Sequence, residues 1–179
     1  MPGNRPKVRN WGWILALLGL VGGCGYHLKG HGAGILTEDV RTIAIPPVEG
    51  DFPRSEIQQI LTQHITDAFV QRTRRQIVNA PAAADAVLTT RVLQFNVTPV
   101  GWTQSSEARS YQVLIVLRVQ LIRTQGRSVL FAHPRWTFRT QFEVDPGTPI
   151  QYENLELEAV RRIGDDFAQA LVSAVLEAF

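Results

Sequence analysis

The residue with the most distinctive chemistry is Cys24, because it is the only cysteine among 179 residues. A lone cysteine cannot form a disulfide within its own chain. It ends the stretch Val21-Gly22-Gly23-Cys24, where an apolar segment stops and glycines begin. Three interpretations of the thiol are open: a free thiol in a turn, an intermolecular disulfide, or covalent attachment of lipid.

The residues before Cys24 have the layout of a secretory signal peptide. Basic residues (Arg5, Lys7 and Arg9) precede the apolar segment 11–21, and small residues follow it. A membrane-spanning helix is one alternative, but this segment at ~1.5 Å rise per residue covers only ~16 Å of a hydrocarbon core ~30 Å thick. A buried helix of a cytosolic domain is disfavoured, because glycines follow the segment at once.

The stretch from Val21 to Cys24 resembles a bacterial lipobox, in which an aliphatic and a small residue direct cleavage next to a lipidated cysteine. We therefore predict a signal peptide over residues 1–23. Cys24 would then begin the mature chain with a thioether-linked diacylglycerol and an amide-linked acyl chain. The residue after the cysteine is Gly25 and not Asp. By the same resemblance, this favours sorting to the outer membrane of a diderm bacterium.

The charge balance argues against nucleic-acid binding. Three of the 18 basic residues lie in the predicted leader, which leaves 15 against 16 acidic residues and a net charge of about −1. The basic residues Arg72, Arg74 and Arg75 follow a predicted helix, where they suit the negative end of the helix dipole.

No catalytic or metal-binding motif is found in the sequence. His27 and His31 are four residues apart, but Gly30 and Gly32 disfavour a helical metal site there. The carboxylates of the last helix are interpreted as its solvated face; they are Glu156, Glu158, Asp165 and Asp166. We therefore expect no enzyme activity, no catalytic residue, no metal and no cofactor.

The mature chain divides into a tether and one domain. Residues 24–40 include Gly30, Gly32 and Gly34, and glycines leave the backbone dihedrals free. They are predicted to be the lipidated N-terminus and a flexible tether. Residues 41–179 have the length of one α/β domain that can bury a core.

The first half of this domain reads as strand, helix and strand. Residues 42–45 form a short strand that ends at Pro46-Pro47. Apolar residues at helical spacing follow Ser55, the expected N-cap of an amphipathic helix. Residues 86–98 are rich in β-branched residues, and their apolar positions change parity near Val92-Leu93, which suggests a bulge.

The second half reads as two strands and a long helix. Alternate residues from Tyr111 to Leu121 are apolar, and so are Trp136, Phe138 and Phe142 in the strand 129–142. Pro134 indicates an edge strand or a bulge. An apolar stripe from Val160 to Ala178 predicts the C-terminal helix.

The order β-α-β-β-β-α predicts a two-layer α/β sandwich, with two helices on one face of a mixed four-stranded sheet. The other sheet face is left for water or a partner. It carries polar and basic residues, namely Gln112, Arg118, Arg135 and Arg139.

Several stretches together resemble the lipopolysaccharide-assembly lipoprotein family LptE. The most specific is the start of the predicted mature chain, Cys24-Gly25-Tyr26-His27-Leu28-Lys29-Gly30. Weaker matches are Thr42-Ile43-Ala44-Ile45-Pro46, Tyr111-Gln112-Val113-Leu114-Ile115-Val116 and Phe138-Arg139-Thr140. The resemblance covers nearly the whole predicted mature chain.

The resemblance implies an outer-membrane lipoprotein, anchored through Cys24, that faces the periplasm or sits as a plug inside the LptD β-barrel. There it would help deliver lipopolysaccharide to the cell surface. Arginine forks bind phosphates of the kind lipid A carries, so Arg109, Arg118 and Arg139, with Trp102 against acyl or sugar surface, are the candidate lipopolysaccharide contacts. The alternatives are a scaffold lipoprotein of another envelope machine, a peptidoglycan-binding lipoprotein, or a secreted hydrolase.

Overall fold

The computed structural model describes residue 36, residues 39–145 and residues 149–177. These residues form, in chain order, strand β1 (Thr42–Ala44), helix α1 (Ser55–Arg72), strand β2 (Gln76–Val78), a 3-10 turn (Pro81–Ala83), strands β3 (Ala86–Trp102), β4 (Ala108–Arg123) and β5 (Val129–Glu143), and helix α2 (Pro149–Glu177). The predicted signal peptide, the lipidation of Cys24, the pair His27 and His31, and most of the tether lie outside the described residues.

The strands form one mixed sheet in the order β2-β1-β3-β4-β5. β1 runs parallel to β2 and β3, whereas β3, β4 and β5 run antiparallel to their neighbours. Both helices pack on one side of this sheet around a shared core. The predicted two-layer α/β sandwich is confirmed, but with five strands instead of four, because β2 has only three residues and shows no period-two pattern.

Two predicted irregularities occur where the sequence placed them. The register of β3 against β4 shifts between Val92 and Gln94, so that Leu93 is an extra residue. β5 is an edge strand, and its register against β4 shifts between Trp136 and His133, the interval that contains Pro134. Pro134 therefore lies both on an edge strand and in a bulge, where its missing N–H costs no ladder hydrogen bond.

The stripe of α1 that faces the core consists of the apolar residues expected from the spacing: Ile57, Leu61, Ile65, Ala68 and Phe69. The prediction of Ser55 as N-cap was wrong. Arg54 occupies that position with an extended backbone and no side-chain cap, and the Ser55 hydroxyl reaches only the Glu56 carboxylate at 3.4 Å. The Arg54 side chain turns instead toward α2.

The core fills the space between the helices and the sheet. The predicted apolar face of β4 is fully buried from Val113 to Leu121, and the stripe of α2 includes the buried Phe167 and Leu171. Each such side chain contributes about 1.5–3 kcal/mol on burial. In the part of the chain described here, neither helix has the length and apolar character needed to cross a bilayer.

Candidate functional site

We call the side of the sheet opposite the helices the open face. Side chains alternate along β4, so burial of Leu117 and Val119 under the helices places Arg118 on the open face, where it is exposed. Cross-strand register adds further polar residues from β3 and β5, namely Thr89, Arg91, Asn96, Thr137, Arg139 and Gln141. The predicted polar and basic residues do lie on this face, together with the apolar Leu114, Val116 and Ile122 of β4.

Three arginines form a row across the middle of the open face. Arg91 of β3 pairs directly with Arg118 of β4. Arg118 lies opposite the bulge of β5 that contains Arg135, and alternation with the core-facing Trp136 turns Arg135 to the same side. We call Arg91, Arg118 and Arg135 the arginine row. Neighbouring strands are ~4.8 Å apart, so like charges are held close together.

Only one carboxylate engages this row within the described part of the chain. Arg91 Nε donates to Glu49 Oε2 at 2.9 Å, and Arg91 Nη2 contacts the same oxygen. Glu49 is held by the backbone, because its N–H donates to Thr90 O at 2.9 Å and its carbonyl accepts from Val92 N–H at 2.7 Å. The other two guanidiniums have no ion pair among the described residues.

A hollow of about 430 Å³ lies beside the row. It is lined by Glu49, Thr89, Arg91, Arg118, Gln120 and Ile122. Its size falls in the range of small-ligand sites. The lining combines two guanidiniums, a hydroxyl and an amide with one aliphatic side chain, so it offers hydrogen-bond donors to an anionic polar ligand.

The structure separates the four residues proposed from the sequence as lipopolysaccharide contacts. Arg139 pairs with Leu114, about 13 Å along β4 from Arg118 on the same face. Arg109 is about 30 Å from Arg118 along β4, at the end of the β3–β4 hairpin, and its Nη2 lies 3.8 Å from Glu143 Oε2. Trp102 is at the same end and is 60% exposed.

Arg91 and Glu49 were not among the residues proposed from the sequence. Arg91 could be placed on a strand, but its pairing with Arg118 depends on the cross-strand register and on the bulge at Leu93. Glu49 reaches β3 through a single parallel bridge to Arg91. A contact of this kind produces no periodic pattern in the sequence, so it could not be predicted.

A second polar cluster joins the two helices. Arg54 Nη2 contacts Glu156 Oε2 and donates to Glu153 O at 3.3 Å. Glu156 is buried, so the prediction that it lies on a solvated helix face was wrong, whereas Glu158, Asp165 and Asp166 are exposed as predicted. Burial, and then the nearby charge of Glu156, raises the pKa of Tyr152 above its usual range.

The acidic and histidine side chains of the described residues do not group as metal ligands would. Within residues 39–145 and 149–177, no three His, Cys, Asp or Glu side chains are grouped so that they could hold a metal ion. His64 of α1 packs over Gly164 of α2 and lines a hollow together with Asp67 and Asp165.

A family model described as LptE, lipopolysaccharide-assembly, matches residues 40–175 of this chain. The match spans every described strand and nearly all of α2. No curated protein matches the sequence.

Several solved structures share the fold. Lipoprotein B from Nitrosomonas europaea aligns with a TM-score of 0.54 at 10% identity, over 76% of this chain and 83% of that one. A protein from Xanthomonas campestris aligns with a TM-score of 0.52 at 12% identity, over 76% and 84%. A lipoprotein from Caulobacter crescentus aligns with a TM-score of 0.51 at 11% identity, over 73% and 87%. Identities this low establish similarity of fold alone.

Proposed function

We propose, because this chain belongs to the LptE family of lipopolysaccharide-assembly proteins, that it is an outer-membrane lipoprotein which helps to insert lipopolysaccharide into the outer leaflet. The family match over residues 40–175 is the observation that carries this proposal. The family is one of non-enzymatic assembly lipoproteins. Two of the structural relatives are also named lipoproteins.

The molecular role we propose is that of a plug inside the LptD β-barrel. The open face supports this role because it carries arginines, glutamines and threonines and lacks a covering layer among the described elements. The interior of a large outer-membrane barrel is polar and wet, so a polar sheet face fits there without burying unpaired groups.

The membrane attachment we propose is through lipid on Cys24. At ~0.8 kcal/mol per buried CH₂, one acyl chain holds a protein only marginally, whereas the three chains of a lipidated cysteine anchor it stably. We therefore expect Cys24→Ser to leave the outer-membrane fraction after a salt wash. The measurement is made in cells depleted of the barrel, so that the barrel cannot retain the variant, and continued membrane residence would reject the anchor.

Co-purification from mild detergent tests the plug role. Tagged full-length protein should carry with it a large β-barrel protein and lipopolysaccharide. Recovery of a cell-wall fragment, or of a set of other lipoproteins without a barrel, would contradict the proposal and favour the peptidoglycan-binding or scaffold alternatives.

A further inference from the structure

We propose that the outer edge of β5 binds an extended, acidic segment of a partner protein, which pairs with β5 as an added strand of the sheet. The part of β5 concerned is residues 136–143, which we call the regular edge. This interaction surface goes beyond the proposed function and does not rest on it, because the backbone and side chains of β5 alone support it.

The backbone of the regular edge has donors and acceptors that point away from the sheet. β5 has no strand on its outer side among the described residues. Val144 N–H donates to Arg109 O at 2.8 Å, and the register of residues 136–143 against β4 is unbroken. Ladder bonds alternate along an antiparallel strand, so the even-numbered residues bond to β4 and the odd-numbered residues point outward. The outward residues are Thr137, Arg139, Gln141 and Glu143.

The regular edge lacks several of the devices that protect sheet edges from strand addition. Natural sheets use prolines, bulges and very short edge strands for this purpose. The opposite edge strand, β2, has only three residues, and the first half of β5 contains Pro134 and two register shifts against β4. The regular edge has no proline and no register shift. One side chain covers it among the described residues: Arg162 Nη2 of α2 donates to Gln141 O at 3.2 Å.

The side chains of the regular edge select the incoming strand. Trp136 and Phe138 contact Phe167 of α2 but remain partly exposed, so apolar side chains of an added strand would cover them on the helix side. On the open face, Arg139 is exposed and has no ion pair among the described residues. Opposite charges on directly paired residues stabilise a sheet. The strand that fits therefore alternates apolar and acidic residues.

The test uses the full chain in uncharged detergent and a seven-residue peptide, blocked at both ends, that alternates valine with glutamate. Amide hydrogen exchange is followed by NMR. Binding should slow exchange at Thr137 and Arg139, whereas Phe138 and Thr140 are protected by the ladder from the start. No change on adding the peptide would overturn the proposal. Protection of the outward amides before the peptide is added would also overturn it, because this chain or a second copy would then already cover the edge.

Modified peptides distinguish strand addition from attraction of any charged peptide to the open face. In an added strand the glutamates lie opposite Arg139 and the other outward residues, so their N–H groups point toward β5. Methylation of the glutamate nitrogens should therefore abolish binding, and methylation of the valine nitrogens should leave it unchanged. Equal effects of the two methylations would contradict strand addition. Equal binding of a peptide with lysine in place of glutamate would overturn the acidic character of the partner.

Variants of β5 locate the contact. Thr137→Pro removes an outward N–H that the ladder with β4 does not use, and it should weaken peptide binding at least tenfold. Ala132→Pro makes the same change in the half of β5 with register shifts and should have no effect. Arg139→Glu keeps every backbone group and should reverse the preference in favour of the lysine peptide. Equal losses from the two proline variants, or an unchanged preference in Arg139→Glu, would overturn the site.

The cover over the edge has its own variant. Arg162→Met frees the Gln141 carbonyl and should tighten peptide binding several-fold, whereas Arg161→Met removes the neighbouring exposed arginine and should not. Equal effects would reject Arg162 as a cover of the edge. Because none of these titrations involves the barrel, absence of peptide binding with intact co-purification of the barrel would reject this surface and leave the proposed function standing.

Discussion

Arg54, the residue just before α1, forms an ion pair with Glu156 of α2, and Glu156 is only 7% exposed. The pair joins the start of one helix to the other across 102 residues of sequence. Arg54 also contacts Glu153, through its carbonyl oxygen at 3.3 Å and its carboxylate at 3.8 Å. Side-chain exposure distinguishes the two acidic residues, because the Glu153 side chain is 70% exposed.

We predict that Glu156→Ala lowers the free energy of unfolding by about 2–4 kcal/mol, because it leaves the half-buried Arg54 charge without its partner. The measurement is guanidinium unfolding of the full chain in uncharged detergent, followed by circular dichroism.

Glu153→Ala is the matched control for this prediction. It removes an exposed carboxylate near the same guanidinium and should cost less than about 1 kcal/mol. The double variant Arg54→Met/Glu156→Leu should recover most of the stability, since apolar residues of similar size can replace a buried pair. Equal losses in the free energy of unfolding for Glu156→Ala and Glu153→Ala would show that the buried ion pair stabilises the fold no more than the exposed contact does.

Asp85 predicts a pH dependence of stability. Its Oδ2 accepts hydrogen bonds from the Thr42 N–H at 2.9 Å, the Thr42 hydroxyl at 2.8 Å and the Arg41 N–H at 2.9 Å. These bonds, first of all that from the Thr42 backbone, hold the pKa of Asp85 below its ordinary value of 3.8. The Asp85 carboxylate therefore contributes its full stabilisation at pH values above its ordinary pKa. This stabilisation is lost as the pH falls through the lower pKa that Asp85 has in the folded state.

We expect Asp85→Asn to be less stable than the wild type by a constant amount from about pH 7 to about pH 5, and the difference to shrink below about pH 4. Asp51→Asn, which removes an exposed carboxylate, is the control variant in this comparison. The measurement is a set of unfolding curves across this pH range. A difference in the free energy of unfolding between the wild type and Asp85→Asn that grew toward low pH would contradict the prediction.

Thr90 predicts a stabilising substitution. It faces the helices from β3 at 3% exposure, and its hydroxyl has no hydrogen-bond partner among the described residues. Thr90→Val keeps the shape and removes the unpaired hydroxyl, so it should raise the free energy of unfolding by about 1 kcal/mol.

Thr42→Val makes the same chemical change at a hydroxyl that is used. Thr42 Oγ1 donates to Asp85 Oδ2 at 2.8 Å and accepts from Asp85 N–H at 2.9 Å. This variant should therefore lose stability in the same unfolding experiment. If Thr90→Val also lost stability, its hydroxyl would have to be hydrogen-bonded in solution.

The parts of the fold that the sequence predicted are those with one-sided burial. The alternation around Leu117 and the change of parity near Val92 each follow from local spacing, because a strand with one buried face repeats every two residues. The burial of Glu156 could not be predicted from local spacing. The residue that compensates for its buried charge is Arg54, which is far away in sequence. The pairing of Arg91 with Arg118 was inaccessible for a similar reason, because register across strands is a tertiary property.

The last prediction concerns lipopolysaccharide binding by the full chain in uncharged detergent. Trp102 and Arg109 are near neighbours at the hairpin end, while Arg118 lies about 30 Å from Arg109 along β4. Substitutions at distant sites add in free energy, whereas those at neighbouring sites couple. We expect Arg109→Ala and Arg118→Ala each to weaken binding, more strongly at low than at high salt.

Double variants then show whether Arg118 on the open face contributes to lipopolysaccharide binding independently of Trp102 and Arg109 at the hairpin end. The effects of Arg109→Ala and Arg118→Ala should add to within about 0.5 kcal/mol, whereas Trp102→Ala and Arg109→Ala should couple by more than that. Arg139 lies on the open face with Arg118. The effect of Arg139→Ala on the binding free energy should therefore also add to the effects of Trp102→Ala and Arg109→Ala. Unchanged affinity at both salt concentrations would remove these arginines from the contact surface. Strong coupling between Arg109 and Arg118 would contradict the separation of the two groups, because substitutions about 30 Å apart are expected to act independently.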